Sequence, residues 1–206
     1  MAYATASTLP AAVVIDNIAA GTQGFSTGVT GPTAGFGIFT IPDNQTAFTF
    51  TSGPVADTLL SLDVVINSAD NSSPILATLS TGPNVPGGNN SVTIGSVTPA
   101  TATGITTVTF SPTNGIALDP STTYWIHFTV PSGSGNYTAL HSNTPNESFG
   151  YALNNPWQLP TIGGWSELTS GIKPRIRMTT AIPEPSAALL ASLSTFFLLR
   201  RKRTTA

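Results

Sequence analysis

Leu-Leu-Ser-Leu-Asp-Val-Val-Ile-Asn, residues 59–67 of a 206-residue chain, is the stretch that decides the fold. From position 60 every second residue is apolar, and Ser61 and Asp63 occupy positions between them. Successive side chains of a strand point to opposite faces of a sheet, so this period of two predicts a half-buried β-strand. Its predicted core face consists of Leu60, Leu62, Val64 and Ile66.

Further strands are predicted on both sides of this stretch. They cover residues 46–51, 75–81, 91–97, 104–111, 124–130, 137–142, 149–153 and 174–180. Clusters of Gly, Pro and Asn separate these segments, and no segment before residue 186 has the 3.6-residue period of a helix. The sequence therefore predicts an all-β fold: a single antiparallel β-sandwich of jelly-roll or Ig-like type, followed by a short C-terminal hydrophobic helix.

The distribution of charge excludes several classes of function. Charged residues are 8% of the chain, against about 25% in ordinary soluble proteins. Residues 1–172 contain eight acidic residues and no basic one. Because Lys and Arg supply most of the affinity for phosphate backbones, we expect no nucleic-acid partner. The absence of cysteine excludes disulfides, thiol catalysis and thiolate metal sites.

The last part of the chain has the features of a membrane-directed segment. Pro183-Glu184-Pro185 precedes an uncharged run of 14 residues, 186–199. As a helix this run spans roughly 21 Å, which is less than the roughly 30 Å of a bilayer's hydrocarbon core. A temporary stay in the membrane before processing therefore fits better than permanent spanning. The predicted anchor residues are Ser186, Ala187, Ala188, Leu189, Leu190, Leu193, Phe196, Phe197, Leu198 and Leu199. The basic residues that follow and hold the run on the cytoplasmic side are Arg200, Arg201, Lys202 and Arg203.

These three elements, in this order, resemble the PEP-CTERM sorting signal of bacteria that carry an exosortase. The resemblance implies export and recognition of Pro183-Glu184-Pro185 by an exosortase-type processing enzyme. It further implies a transient stay in the inner membrane through the tail, and then placement on the cell surface or in the extracellular matrix of a Gram-negative-type bacterium.

Three regions of the chain follow from these features. Residues 1–20 are expected to be a leader remnant or an irregular segment, because Asp16 ends the first apolar run too early for a complete secretory signal. Residues 21–180 are expected to form the β-sandwich domain. Residues 181–206 are expected to form the sorting and anchor tail.

Two segments of the β-domain resemble a second family. Residues 117–126, with their Thr-Tyr-Trp strand, are similar to part of the small choice-of-anchor β-domains of PEP-CTERM proteins. Residues 39–62 look like the opening strands of the choice-of-anchor R type, and the resemblance covers roughly residues 35–180. That family has no assigned catalytic residues. The leading hypothesis is therefore a non-enzymatic, exported surface or matrix protein associated with exopolysaccharide or biofilm.

The two histidines are the candidates for general-base or metal chemistry. His127 lies beside Trp125 on the less apolar face of its predicted strand, and His141 lies in another strand. Neither has a carboxylate at a spacing typical of a zinc, iron or catalytic site. We interpret His127 as a surface or loop-covered residue, and we expect no enzyme activity, no metal and no cofactor.

An alternative function rests on aromatic and amide side chains in the later strands. Aromatic rings can stack on sugar rings while amides bond to hydroxyl groups. The candidate carbohydrate-binding residues are Tyr151, Asn154, Asn155, Trp157 and Trp165. Exposure of the two indoles discriminates the hypotheses: coplanar, exposed rings beside the asparagines favour a polysaccharide-binding module, and buried rings favour a matrix protein.

Overall fold

A computed structural model describes residues 10–18, 26–30, 33–34, 40–41, 45–70, 73–82, 90–100, 104–131, 136–142, 146–159, 164–168 and 173–181. These residues form seventeen strands. The strands are β1 Ala11–Asp16, β2 Ser26–Thr30, β3 Thr33–Ala34, β4 Thr40–Ile41, β5 Gln45–Thr51, β6 Asp57–Asp70, β7 Ile75–Thr81, β8 Val92–Val97, β9 Gly104–Phe110, β10 Ile116–Leu118, β11 Thr123–Thr129, β12 Asn136–Ser142, β13 Asn146–Glu147, β14 Ala152–Leu159, β15 Ser166–Glu167, β16 Lys173–Pro174 and β17 Ile176–Ala181.

The strands assemble into two large antiparallel sheets and one small one. The nine-stranded sheet follows the order β13-β1-β17-β6-β12-β16, with β9 and β10 also paired to β6 and β2 paired to β12. The six-stranded sheet follows the order β15-β14-β5-β11-β7-β8, and β3 pairs with β4 alone. The prediction of an all-β, antiparallel, sandwich-like fold is confirmed. In the ranges given above, the structure shows no helix with the length and apolar content that crossing a lipid bilayer requires.

A shared apolar core lies between the two large sheets. Phe110 of the nine-stranded sheet packs against Phe128 of the six-stranded sheet, with ring centroids 5.8 Å apart. Phe50 stacks between Tyr124 and Tyr151, at centroid distances of 5.4 and 6.2 Å. Such contacts bury large apolar areas in a chain without disulfides, so packing of this core supplies most of the stability.

The 14-residue strand β6 is the centre of the nine-stranded sheet. It pairs with β17 and β12 on one side and with β10 and β9 on the other. Its Leu62, Val64 and Ile66 are buried, as the period of two predicts. These side chains belong to the apolar core against which the six-stranded sheet packs.

The predicted position of Leu60 on the core face is wrong. Thr179 of β17 pairs with Ser61 and Thr180 pairs with Leu59, so Leu60 is an extra residue in a β-bulge. A bulge shifts the alternation of faces by one residue. As a result Leu59 is fully buried and Leu60 is only half-buried.

The first strand and the strand predicted at 149–153 also differ from expectation. Residues 11–16 form β1, in which Val14 and Ile15 are fully buried, so the expectation of an irregular segment is wrong for these residues. The strand predicted at 149–153 begins only at Ala152, because Phe149 and Gly150 form a turn with positive φ angles. It then continues to Leu159 through Pro156.

Candidate functional site

A groove on the outer face of the six-stranded sheet is the candidate functional site. It has a volume of about 570 Å³, within the range of roughly 300–1,000 Å³ typical of small-ligand sites. We call it the Asn–Trp groove. Its lining residues are Thr49, Gly82, Thr123, Trp125, Asn154, Asn155, Trp157, Glu167 and Lys173.

A β-bulge in β14 directs two consecutive asparagines to this groove. Leu153 pairs with Phe50 of β5 and Pro156 pairs with Phe48, so Asn154 and Asn155 together face a single residue of β5. In a regular strand two neighbouring side chains point to opposite faces. The bulge removes this constraint, and both amides line the same groove.

Asn155 connects two opposite charges at the groove. Its Nδ2 donates a hydrogen bond of 2.9 Å to Oε1 of Glu167. Its Oδ1 accepts a hydrogen bond of 3.2 Å from Nζ of Lys173. Glu167 belongs to β15 and Lys173 to β16, so this network joins the edges of the two large sheets. We call these three residues the Glu–Asn–Lys network.

Two tryptophans form the aromatic wall of the groove. The rings of Trp125 and Trp157 meet edge to face, with centroids 5.3 Å apart and planes at 73°. Trp125 is buried, and its Nε1 donates a hydrogen bond of 2.9 Å to the carbonyl oxygen of Gly82. Trp157 is half-buried, so the exposed part of its indole is the apolar surface that the groove offers to a ligand.

Trp165 does not line the groove and packs on a histidine instead. Its ring meets the His127 ring edge to face, at a centroid distance of 5.4 Å. The Nε2 atom of His127 lies 2.7 Å from Oε1 of Gln45, at hydrogen-bond distance. Burial lowers the pKa of His127 to about 4, because a charged imidazolium loses hydration there. His127 is therefore a covered, neutral residue at pH 7.

Exposed, coplanar indoles are expected in a polysaccharide-binding module and buried indoles in a matrix protein. Trp157 and Trp165 fit neither description. Both are half-buried, and each packs edge to face against another ring. Trp157 lies beside Ala47 of β5, which is fully buried, and Trp165 lies against His127 of the neighbouring strand β11. The two indoles thus form a small second apolar layer, and Trp157 alone also borders the groove.

Tyr151 does not belong to the groove, so its assignment to a carbohydrate-binding surface is wrong. Its ring is 4% exposed and stacks on Phe50 in the core. Its hydroxyl donates a hydrogen bond of 2.8 Å to Oδ2 of Asp57. Burial, and then this neighbouring carboxylate, raise the pKa of Tyr151 above its ordinary value.

His141 lies in the nine-stranded sheet, away from His127. It is fully buried in β12, where it pairs with Pro174 of β16. Burial lowers its pKa to about 4. Across the described ranges, no three or more acidic or histidine side chains are grouped so that they could hold a metal ion.

The residues of the predicted sorting signal, membrane anchor and basic cluster lie outside the described residues. The last described strand, β17, ends at Ala181, two residues before Pro183. The expectations about residues 183–203 therefore stay predictions.

Six groove residues were not among the sequence candidates: Thr49, Gly82, Thr123, Trp125, Glu167 and Lys173. Trp125 was recognisable on the outer face of its strand from the alternation of faces. Glu167 and Lys173 come to Asn155 only through the pairing of β15 and the meeting of the two sheets, which no local pattern announces.

Comparisons with known proteins add little to what the geometry shows. No family model matches the chain, and no curated protein matches it. Among solved structures it is similar to the cysteine protease and lectin-like domains of Cwp84, a surface layer associated protein of Clostridium difficile, with a TM-score of 0.44 and 15% sequence identity. The likeness covers 68% of this chain and 32% of that chain, and at this TM-score it carries no argument about function.

Proposed function

We propose that this chain is a non-enzymatic, exported surface or extracellular-matrix protein that is processed through its C-terminal tail. The observation that carries the proposal is the order of Pro183-Glu184-Pro185, the uncharged run 186–199 and the basic residues 200–203. A processing enzyme reaches a Pro-Glu-Pro segment readily, because proline prevents helix formation and strand pairing. Its partners are an exosortase-type enzyme and, before processing, the inner membrane.

The finer features of the fold belong to the same proposal. The sandwich is of jelly-roll or Ig-like type and related to the choice-of-anchor R domains, and residues 186–199 form a short hydrophobic helix. The pKa values of His127 and His141, lowered by burial to about 4, are far below the near-neutral values that suit a general acid or base, which supports a non-enzymatic role. The mature protein resides on the cell surface or in an exopolysaccharide or biofilm matrix.

Substitution of Glu184 tests the sorting signal. In a host that carries the matching exosortase, Glu184→Ala should leave export and folding intact but stop maturation, so the unprocessed protein stays with the membrane. Cell fractionation and intact-mass measurement report both properties. If Glu184→Ala matures to the same mass and fraction as the wild type, the sorting-signal hypothesis is wrong and the segment acts only as a weak anchor.

A matched variant separates recognition from retention. Replacement of Arg200, Arg201, Lys202 and Arg203 by Ser leaves the Pro-Glu-Pro segment intact but removes the charges that keep the run from passing through the bilayer. We expect more of this protein across the membrane with its tail attached. Equal behaviour of the two variants would contradict separate roles for carboxylate and basic cluster.

A second function, binding of extracellular polysaccharide, is favoured by the Asn–Trp groove. There the bulge of β14 brings Asn154 and Asn155 beside the exposed part of Trp157. Amides that bond to hydroxyl groups beside an aromatic surface are the chemistry that sugars require. A pull-down of the full chain on a polysaccharide panel tests it, with Trp157→Ala as the groove variant.

A further inference from the structure

The charges at the Asn–Trp groove narrow the class of sugar that it accepts. Lys173 can only donate hydrogen bonds and ionised Glu167 can only accept them. Asn155 binds both side chains: it accepts a hydrogen bond of 3.2 Å from Lys173 and donates one of 2.9 Å to Glu167. The groove therefore offers a fixed donor and a fixed acceptor with no net charge.

The role of Lys173 differs from that of the other described cations. Arg177 forms an ion pair with Asp16 at 3.0 Å, and Arg175 donates to the carbonyl oxygen of Ile18. Lys173 alone of the three lines the groove, and it gives Asn155 one of the three protons that an ammonium group can donate.

An acidic sugar is a poor match for this groove. A ligand carboxylate near Lys173 would also approach Glu167, which is held to the same amide. The net charge of the described residues has the same sign, because they include seven acidic residues and three basic ones. Like charges in and around a site disfavour a polyanion.

A neutral sugar satisfies both ends of the Glu–Asn–Lys network. A hydroxyl group both donates and accepts, so one hydroxyl can accept from Lys173 while a neighbouring one donates to Glu167. Asn154 and the hydroxyl groups of Thr49 and Thr123 offer further adaptable partners. The apolar C–H face of a pyranose ring can lie on the exposed part of Trp157.

We propose that the Asn–Trp groove binds an uncharged polysaccharide through neighbouring hydroxyl groups that bridge Lys173 and Glu167. This inference rests on the polysaccharide-binding function proposed above. It adds the class of ligand and the residues that select it.

The test measures binding of the full chain to soluble polysaccharides by affinity electrophoresis and calorimetry. The neutral probes are glucomannan, galactomannan, mixed-linkage β-glucan and soluble starch, and the acidic probes are alginate and polygalacturonate. We expect binding to at least one neutral probe, with little change when salt is raised, because screening acts mainly on charged partners. Trp157→Ala should weaken this binding about tenfold or more, as the loss of a ring contact and its buried area requires.

Glu167→Gln gives opposite results for the two classes of ligand. For a neutral sugar this variant should weaken binding about tenfold, because it removes a charged acceptor from the ligand's hydroxyl group. For an acidic sugar it should strengthen binding, because it removes a repelling charge. Asp63→Asn is the matched control, since it removes one negative charge in β6, away from the groove, where Asp63 accepts a hydrogen bond from Thr109. We expect no effect of this control.

The outcomes separate this inference from the function on which it rests. Binding of acidic probes alone, strengthened by Glu167→Gln and lost in Trp157→Ala, overturns the neutral-sugar inference and leaves polysaccharide binding in place. Failure to bind any probe, by wild-type protein with the circular dichroism of a folded β-protein, overturns both. If Trp157→Ala does not fold, Glu167→Gln and Lys173→Gln, which preserve side-chain volume closely, decide the question.

Discussion

Acidification should destabilise the protein through its two histidines. His127 and His141 have pKa values lowered by burial to about 4, whereas an unfolded chain binds protons on histidine near pH 6.5. Between these values the unfolded state holds more protons than the folded state. The free energy of unfolding therefore falls as the pH decreases from 6.5 toward 4, and the full contribution is present above pH 6.5.

The size of this effect follows from the pKa difference. Each pH unit below 6.5 lowers the free energy of unfolding by up to about 1.4 kcal/mol per histidine, so His141 should remove about 3 kcal/mol by pH 4. The contribution of His127 should be smaller, because part of its side chain is exposed to solvent. Losses of this size are a large part of the roughly 5–15 kcal/mol that stabilises a typical protein.

Urea unfolding of the wild type, His127→Gln and His141→Gln at several pH values between 7 and 4.5 measures the effect. Carboxylates also titrate in this range, but their contribution is shared by all three proteins and cancels in the comparison. Each variant should show a weaker pH dependence than the wild type, whatever its stability at pH 7. An unchanged slope in His141→Gln, or an imidazole of His141 that titrates near pH 6.5 in NMR spectra, would refute the reasoning.

Two further predictions concern the core. Leu59→Ala should cost about 2–5 kcal/mol of unfolding free energy, because the Leu59 side chain is fully buried. Leu60→Ala should cost about 1 kcal/mol. Equal losses in denaturant titrations would contradict the bulge in β6. Tyr151→Phe should cost roughly 1.5–3 kcal/mol, since it removes the hydrogen bond to Asp57. Because the pKa of Tyr151 is raised, the unfolded state loses the hydroxyl proton above about pH 10 while the folded state keeps it. The stability of the wild type should therefore fall as the pH increases above about 10. This fall should be weaker in Tyr151→Phe. Parallel curves for the two proteins between pH 9 and 11 would speak against a buried hydroxyl.

Alternation of apolar and polar residues predicts strands well where the ladder is regular. The bounds predicted for β7, residues 75–81, agree with the structure because one residue of β7 faces one residue of β11 throughout. Alternation cannot reveal an extra residue in a ladder. At Leu59-Leu60 both neighbours are leucine, so either can be assigned to the core, and only the pairing with β17 decides between them.

The groove was predictable only in part. Asn154, Asn155 and Trp157 lie within four residues of one another, so a shared site could be inferred from their proximity in the chain. Tyr151 lies equally near, but it precedes the bulge and points into the core. Its direction depends on how many residues of β14 face β5, which is a property of the pairing and not of the residue types.

The position of β17 has a consequence for the order in which the chain can fold. β17 is formed from residues 176–181, the last described, yet it lies between β1 and β6 inside the nine-stranded sheet. Its partners in β1 are about 160–170 residues away along the chain, and closing so long a loop makes folding slow. During synthesis on a ribosome, this sheet cannot close until residues 176–181 have emerged. A truncation that removes residues 176–181 would open a gap inside this sheet, with β1 still paired to β13 on one side of the gap and β6 still paired to β9, β10 and β12 on the other.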